Sequence, residues 1–387
     1  MRKKVPLAWL QIAHAKVRFV VALAGIALAC VLIFVQLGFQ AALYDSSVKL
    51  HRVLRADIVL ISPIARNLTA MNTIPRRRLY QALDTPGIAT VGALYIENLT
   101  WRPPENPSVI QNSTVLGFDP AQPMFTLPSV NRKLTEVRLR DHLLFDQETK
   151  GNYPQFIEQL KQGKTITIEA NRRRIDFVGL FNIGSSFGTD GYMVTSDLNF
   201  LRLFSNRQKA NVNLGVITLR PGADAQVVKL ALEEQLRQEN DVRTLTYQEW
   251  VDWEKNYWQT GSSIGFIFGL GVVMGFVVGI IIVYQILYSD VSDHLKEYAT
   301  LKAIGYQQSY LLKLIFQESL ILASLAFIPS CIISEIVYGF CRSVTRLPLE
   351  MTWSRSALVF FLTIVMCIVS GAIAVQKLKS ADPADVF

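Results

Sequence analysis

Four stretches of this chain run long enough without charge to cross a bilayer, which takes ~20 consecutive apolar residues. They are Phe19–Tyr44, Asn256–Ser289, Ser319–Ser334 (extending to Cys341 past Glu335) and Ser356–Gln376. Where lipid surrounds such segments, their backbone polar groups must be satisfied internally, so each is expected to be a helix. Half of the 387 residues are apolar and 18% are charged, which excludes both a disordered chain and an ordinary soluble one. The expected fold is an α-helical membrane protein with four transmembrane helices and a large α+β extracytoplasmic domain between helices 1 and 2.

The first apolar stretch follows a basic start, as a signal peptide would. It continues well past any plausible cleavage point, so it reads as an uncleaved anchor. Ala27-Leu28-Ala29-Cys30 is a poor lipoprotein cleavage site, because the leucine three before the cysteine is missing.

Lysines and arginines in the short flanks set the orientation. Arg2, Lys3, Lys4, Lys16 and Arg18 precede the first stretch, Lys296, Lys302 and Lys313 follow the second, and Lys377 and Lys379 follow the fourth. Only Arg342, Arg346 and Arg355 lie between the third and fourth. Both termini are therefore expected in the cytoplasm. The divisions are a cytoplasmic segment 1–18, span 1 at 19–44, an outer domain at 45–255, span 2 at 256–289, a cytoplasmic loop at 290–313, span 3 at 314–341, an outer loop at 342–355, span 4 at 356–376 and a tail at 377–387. The net charge of +8 is then largely topogenic and does not mark a nucleic-acid surface. Arg76-Arg77-Arg78 and Arg172-Arg173-Arg174 read as solvated turns or lipid-headgroup contacts before they read as anion sites.

The four cysteines (Cys30, Cys331, Cys341, Cys367) lie in or beside the spans, so the outer domain has to be stable without disulfides. At about 210 residues it can bury a core unaided. Ala56–Ser62, Ser113–Phe118, Thr165–Ile168, Ile175–Leu180 and Val212–Leu219 read as strands, and Asp224 caps a helix over Ala225–Glu239. Leu43, Ser47, Leu50 and Leu54 after span 1, and Trp250, Trp253 and Tyr257 before span 2, recur at helical spacing. These segments read as a helical stalk, with the tryptophans in an interfacial belt.

Catalytic motifs are weak. Gln162-Gly163-Lys164-Thr165 ends like a phosphate-binding loop but has Glu158 where the earlier glycine belongs. Gly184-Ser185-Ser186-Phe187-Gly188 fits a nucleophile elbow, yet the only later histidine, His294, falls on the opposite side of the membrane. Four scattered histidines have no metal-ligand spacing. The chain reads as a non-enzyme that binds no metal or cofactor.

Two features point to partners. Gly261, Gly265 and Gly269, and again Gly271, Gly275 and Gly279, recur every fourth residue in span 2. Such rows allow close helix packing, within one chain or between two copies. Between spans 2 and 3, Asp290 or Ser292 can start a helix that Gly305 ends. Its face of Val291, Leu295, Tyr298 and Ala299 suits either a protein groove or the headgroup layer.

Glu297-Tyr298-Ala299-Thr300-Leu301-Lys302-Ala303-Ile304-Gly305 resembles the E-x-x-x-L-(R/K)-A-(I/L/M)-G stretch of FtsX/MacB-type permeases. The one-plus-three span order, Gln317-Glu318 and the closing Asp382-Pro383-Ala384-Asp385 are similar too. Tyr284–Tyr306, Gly184–Gly191 and Asn199–Phe204 resemble the DevC branch known from cyanobacteria. The resemblance implies that Asp293, Leu295 and Glu297–Gly305 form a coupling helix on a separate ABC ATPase subunit, which would hold the ATP and Mg. It further implies an inner-membrane homodimer in contact with membrane lipids, a periplasmic membrane-fusion adaptor and an outer-membrane TolC-like duct. Function would be mechanotransmission in a tripartite exporter of a lipid-like substrate such as a glycolipid. The alternatives are a signalling transducer that activates an extracytoplasmic hydrolase, and a lipoprotein-release permease.

Overall fold

The computed structural model describes residues 16–293 and 308–379. Among the described residues, four helices are long and apolar enough to cross a membrane: Phe19–Ser47, Ser263–Ser289, Leu320–Thr345 and Trp353–Ala374. A large mixed sheet-and-helix domain lies between the first and second. The chain divides into two compact units, one of spans and one that joins Ala42–Ser263 to Arg342–Pro348.

In the span unit, several polar side chains find partners within the bundle. Cys30 Sγ lies 3.1 Å from Thr363 Oγ1, and Thr363 itself donates to the Val359 carbonyl at 2.7 Å. Ser370 donates to the Ile280 carbonyl of span 2 at 2.9 Å. The Tyr338 hydroxyl donates to the Phe34 carbonyl, and its ring occupies the space where a Cβ on Gly38 would be. Gly38 therefore admits the tyrosine to the span 1 backbone.

The other unit is built on one sheet of nine strands. In sheet order these are β11 (Arg243–Thr246), β1 (Ile58–Ile61), β10 (Leu214–Leu219), β3 (Ile88–Trp101), β4 (Gln111–Phe118), β8 (Tyr192–Ser196), β5 (His142–Asp146), β7 (Arg173–Phe181) and β6 (Ile166–Ala170). The pairs β4/β8 and β5/β7 are parallel and the others antiparallel. A separate ladder joins β2 (Ile74–Pro75) to β9 (Asn211–Val212).

Alternate residues of the central strands enter two different cores. Ile58, Leu60, Tyr95, Val115 and Phe145 lie in one, and Val59, Ile61, Leu94, Leu116 and Leu144 in the other. Both faces are covered, so these strands read as continuous apolar runs and lack the polar alternation of a one-sided sheet. In the first core the Trp101 ring packs against Phe145, Tyr153, Phe156 and Phe177, while its Nε1 donates to Ser113 Oγ at 2.9 Å.

Asp224 caps its helix as the sequence implies, accepting from Gln226 N and Val227 N, but the helix stops at Gln235. The tryptophan belt is corrected. Trp250 is fully buried in the second core and Trp253 packs against that core, so both serve the domain interior.

The glycine row at 271, 275 and 279 faces neighbouring spans. A Cβ on Gly271 would meet Gln36, one on Gly275 would meet Ile33 at 3.3 Å, and one on Gly279 would meet Met366 and Ala29. In the other row, Gly261 meets only Tyr257 of its own turn, and no atom lies within 4 Å of a Cβ on Gly269. Gly279→Leu should overpack the bundle and lower its stability by about 1–3 kcal/mol. Gly269→Leu should leave the thermal unfolding of the single chain unchanged in detergent. A loss of self-association in Gly269→Leu alone would assign that row to a second copy, and destabilisation equal to that of Gly279→Leu would contradict the packing described.

Candidate functional site

Three segments adjoining the spans converge on the mixed domain: 42–54, 247–263 and 342–348. Their contacts are polar and largely buried.

At the first, Ser46 and Ser47 donate back to the Leu43 and Tyr44 carbonyls at 3.2 and 2.8 Å, just before the short helix Lys49–Val53. That helix ends at Leu54, whose extended backbone bridges to Phe125. Thr126 N donates to the Val53 carbonyl and Arg55 N to the Met124 carbonyl, both at 2.8 Å, which fixes the entry into β1. His51 lies over Trp250 with ring centroids 3.8 Å apart. Burial first, then the charges of Arg52 and Lys255, push the His51 pKa down to about 3, so its imidazole is neutral.

At the second, Thr246 and Glu249 form a capping box at the start of the helix Tyr247–Asn256, reinforced by Lys229 Nζ on Glu249 at 2.7 Å. One turn further on, the Glu254 carboxyl is buried. It accepts from Leu68 N at 2.9 Å and from Trp258 Nε1 at 2.8 Å. Burial pushes its pKa up to about 7, against the lowering effect of those two donors. A π-helical turn, Tyr257–Gly261, follows before the apolar helix begins at Ser263.

At the third, the loop 184–191 carries the contacts. Fully buried Asp146 accepts from Gly184 N at 2.7 Å, Glu148 N at 3.1 Å and Ile183 N at 3.2 Å. Desolvation nonetheless raises its pKa to about 6. Gly184 has φ +88°, a left-handed conformation that penalises any side chain, and a Cβ there would meet both Lys49 Nζ and Glu148 Oε2. Lys49 donates to the Ser185 carbonyl at 2.9 Å, and burial lowers its pKa. Ser185 Oγ in turn faces the Thr345 and Arg346 carbonyls at 3.4 Å.

This arrangement ties segments together. Ser186, the serine of the elbow-like motif, accepts from Gly188 N and closes its own loop. Gly163 ends the helix Pro154–Lys161 in a left-handed turn. Among the described residues no group of three or more His, Cys, Asp or Glu could hold a metal ion.

The stretch from Leu295 to Gly305, expected from the resemblance to be a coupling helix, lies outside the described residues; Asp293 is the last residue of the helix Ser263–Asp293. Lys49, His51, Asp146 and Glu254 were not singled out from sequence. Glu254 had a signal, standing four residues before Trp258 on a helix that carries Tyr247, Trp250 and Trp253. Asp146 had none, because two of its three partners, Ile183 N and Gly184 N, are backbone amides far away in the chain.

The spans and domain define a multi-pass membrane protein with a folded domain inserted after its first span. Residues 257–383 match the family model described as FtsX-like permease C-terminal. Over this C-terminal third the chain is similar to FtsX-like permeases. Among solved structures, the periplasmic region of MacB from Actinobacillus actinomycetemcomitans is similar at 10% identity and a TM-score of 0.33, covering 51% of this chain and 92% of that one. The extracellular domain of the noncanonic ABC-type transporter YknZ from Gram-positive bacteria is similar at 10% identity and a TM-score of 0.33, covering 49% and 100%. No curated protein matches the chain by sequence.

Glu254 makes stability depend on pH. Its pKa is higher in the fold than the ordinary 4.5, so the folded state binds the proton more tightly. The resulting stabilisation is full below about pH 4.5 and is lost as pH rises through about 7, a change of about 3 kcal/mol. Glu254→Gln offers one acceptor oxygen for two donors and should be less stable than the parent at pH 5. That gap should narrow towards pH 8, read from tryptophan fluorescence during thermal or denaturant unfolding. A gap independent of pH would mean that the carboxyl is not protonated in the fold.

Proposed function

We propose that the chain is the DevC-type permease subunit of a tripartite ABC exporter. The observation that carries this reading is the FtsX-like match over 257–383, which includes the charged stretch Leu295–Gly305 between spans 2 and 3. In this reading both termini lie in the cytoplasm of a bacterial, cyanobacterial-type inner membrane, and the domain between spans 1 and 2 faces the periplasm. Two copies pair and bind two ATPase subunits, which hold ATP and Mg. A membrane-fusion adaptor and a TolC-like duct complete the path for a lipid-like substrate.

The mechanism is a relay of motion. Closure of the ATPases displaces the stretch Leu295–Gly305, and the spans carry that displacement to the mixed domain. Support comes from the loop 184–191, which touches residues adjoining span 1 through Lys49 and residues adjoining span 3 through Thr345 and Arg346. A shift at one segment is therefore felt at another without passing through the nine-stranded core.

The purified chain should have no ATPase activity of its own and should co-purify with its ATPase as a two-plus-two complex, read by native mass. Glu297→Lys and Ala303→Asp should abolish co-purification while the protein still inserts. Gly305→Val should retain part of the binding but lose stimulated turnover and export, because a left-handed position costs a residue with Cβ about 1–2 kcal/mol. Variants that insert, bind and export like the parent would reduce the stretch to a helix lying in the headgroups and remove the main support for this function.

A further inference from the structure

The fold divides the Arg76-Arg77-Arg78 cluster. Arg78 turns inward, is 2% exposed, and is held by Asp241 through Nε and Nη2 at 2.8 Å each, with Glu239 on Nη1. Its charge is fully answered within the domain. Arg76 and Arg77 go elsewhere.

The β2/β9 ladder brings them beside Lys209. Pro75 pairs with Asn211, and Arg76 N donates to the Ala210 carbonyl at 2.7 Å. Fully buried Tyr95 pins this corner from below. Its hydroxyl donates to the Lys209 carbonyl at 2.8 Å and accepts from Arg76 Nη1 at 3.4 Å. Above lies an open cleft of about 600 Å³, lined by Arg76, Arg77, Lys209 and the ring of Tyr80, with Pro75 among its walls. Tyr80 is 59% exposed.

None of the three cations has a carboxylate within 4.0 Å among the described residues. Of the acids nearest to them in effect, Asp241 is engaged by Arg78, while the buried Asp197 offsets part of the charge of Arg76 and Lys209 without coming within ion-pair distance of either. A concave surface with two guanidiniums and one ammonium, set against a single buried carboxylate beyond ion-pair distance, keeps a net positive charge. Solvated arginines on a turn do not need a buried tyrosine to hold them in register.

We infer that this cleft binds a phosphoryl or sulfuryl group. Three cationic donors match a dianion with several acceptor oxygens, whereas a single carboxylate would leave donors unmet. The exposed Tyr80 ring offers a flat apolar surface to whatever carries that group, such as a sugar or glycerol unit. The carrier is either a lipid headgroup or a soluble phosphate ester. Such a site serves the chain whether or not it works as an exporter.

The test is isothermal titration of the full-length protein in a neutral detergent at low ionic strength. The probes are inorganic phosphate, glucose 6-phosphate and monomeric dihexanoyl phosphatidylglycerol. The parent should bind at least one of them, and Arg77→Gln with Lys209→Gln should weaken that binding by roughly tenfold or more. Both side chains are exposed, so the double variant should unfold at the parent's temperature. Arg172→Gln with Arg174→Gln, in the other arginine cluster, should bind as the parent does. Tighter binding of the lipid than of both other probes assigns the site to a headgroup, and the reverse order assigns it to a soluble ester. Absence of binding by the parent to all three probes, or equal binding by the Arg77/Lys209 variant, would overturn the site.

Discussion

A chain leaving hydrocarbon must keep its backbone amides and carbonyls paired until protein or water takes over. In this protein, side-chain oxygens next to the spans do much of that pairing. Ser46 and Ser47 return to carbonyls three residues back where the first long helix ends. Thr260 and Ser262 bond to the Asn256 and Trp258 carbonyls across the π-helical turn that leads into span 2. Glu254 supplies the Leu68 amide with an acceptor from another part of the domain. Each polar side chain lets the backbone change from one regular structure to another without an orphaned group.

The same constraint explains why the polar groups at these transitions are buried and the charged ones perturbed. A carboxyl placed against the second core can accept from Leu68 N and Trp258 Nε1 only by leaving water. The desolvation outweighs the two hydrogen bonds, as the rise in the Glu254 pKa to about 7 records. Asp146 has three backbone donors and still sits at about 6. His51 answers the same pressure in the opposite sense and stays neutral over Trp250. Burial thus pulls each of these groups toward its neutral form.

Legibility followed range. The spans were readable because helical pairing within lipid is local and needs only an uncharged run. The strands at Ile58–Ile61 and Arg173–Phe181 were readable from their β-branched and aromatic runs. The Ile88–Trp101 strand was not, since Gly92, Ala93, Glu97 and Asn98 break the pattern that its pairing with β4 and β10 imposes. Trp250 was misread for a related reason. A tryptophan near a span suits an interface or a core equally, and only the approach of His51 and the second core decides it. Asp146 and Lys49 were invisible because the loop backbone that they hold lies more than thirty residues away.

That loop has a graded mechanical character. At its start the Asp146 carboxylate grips Gly184 N at 2.7 Å, and Lys49 holds the Ser185 carbonyl at 2.9 Å. Towards residues 345 and 346 the Ser185 hydroxyl reaches two carbonyls only at 3.4 Å. One hydroxyl proton cannot serve both acceptors fully, so that contact is the weakest in the chain of bonds. Displacement of 342–348 accordingly loses the Ser185 contact before it strains Asp146. Displacement of 49–53, by contrast, pulls on the loop through a charge-assisted bond. The loop is thus held more firmly to the segment that follows span 1 than to the segment that follows span 3, and Gly184 is where its backbone can turn without a side chain between Lys49 and Glu148.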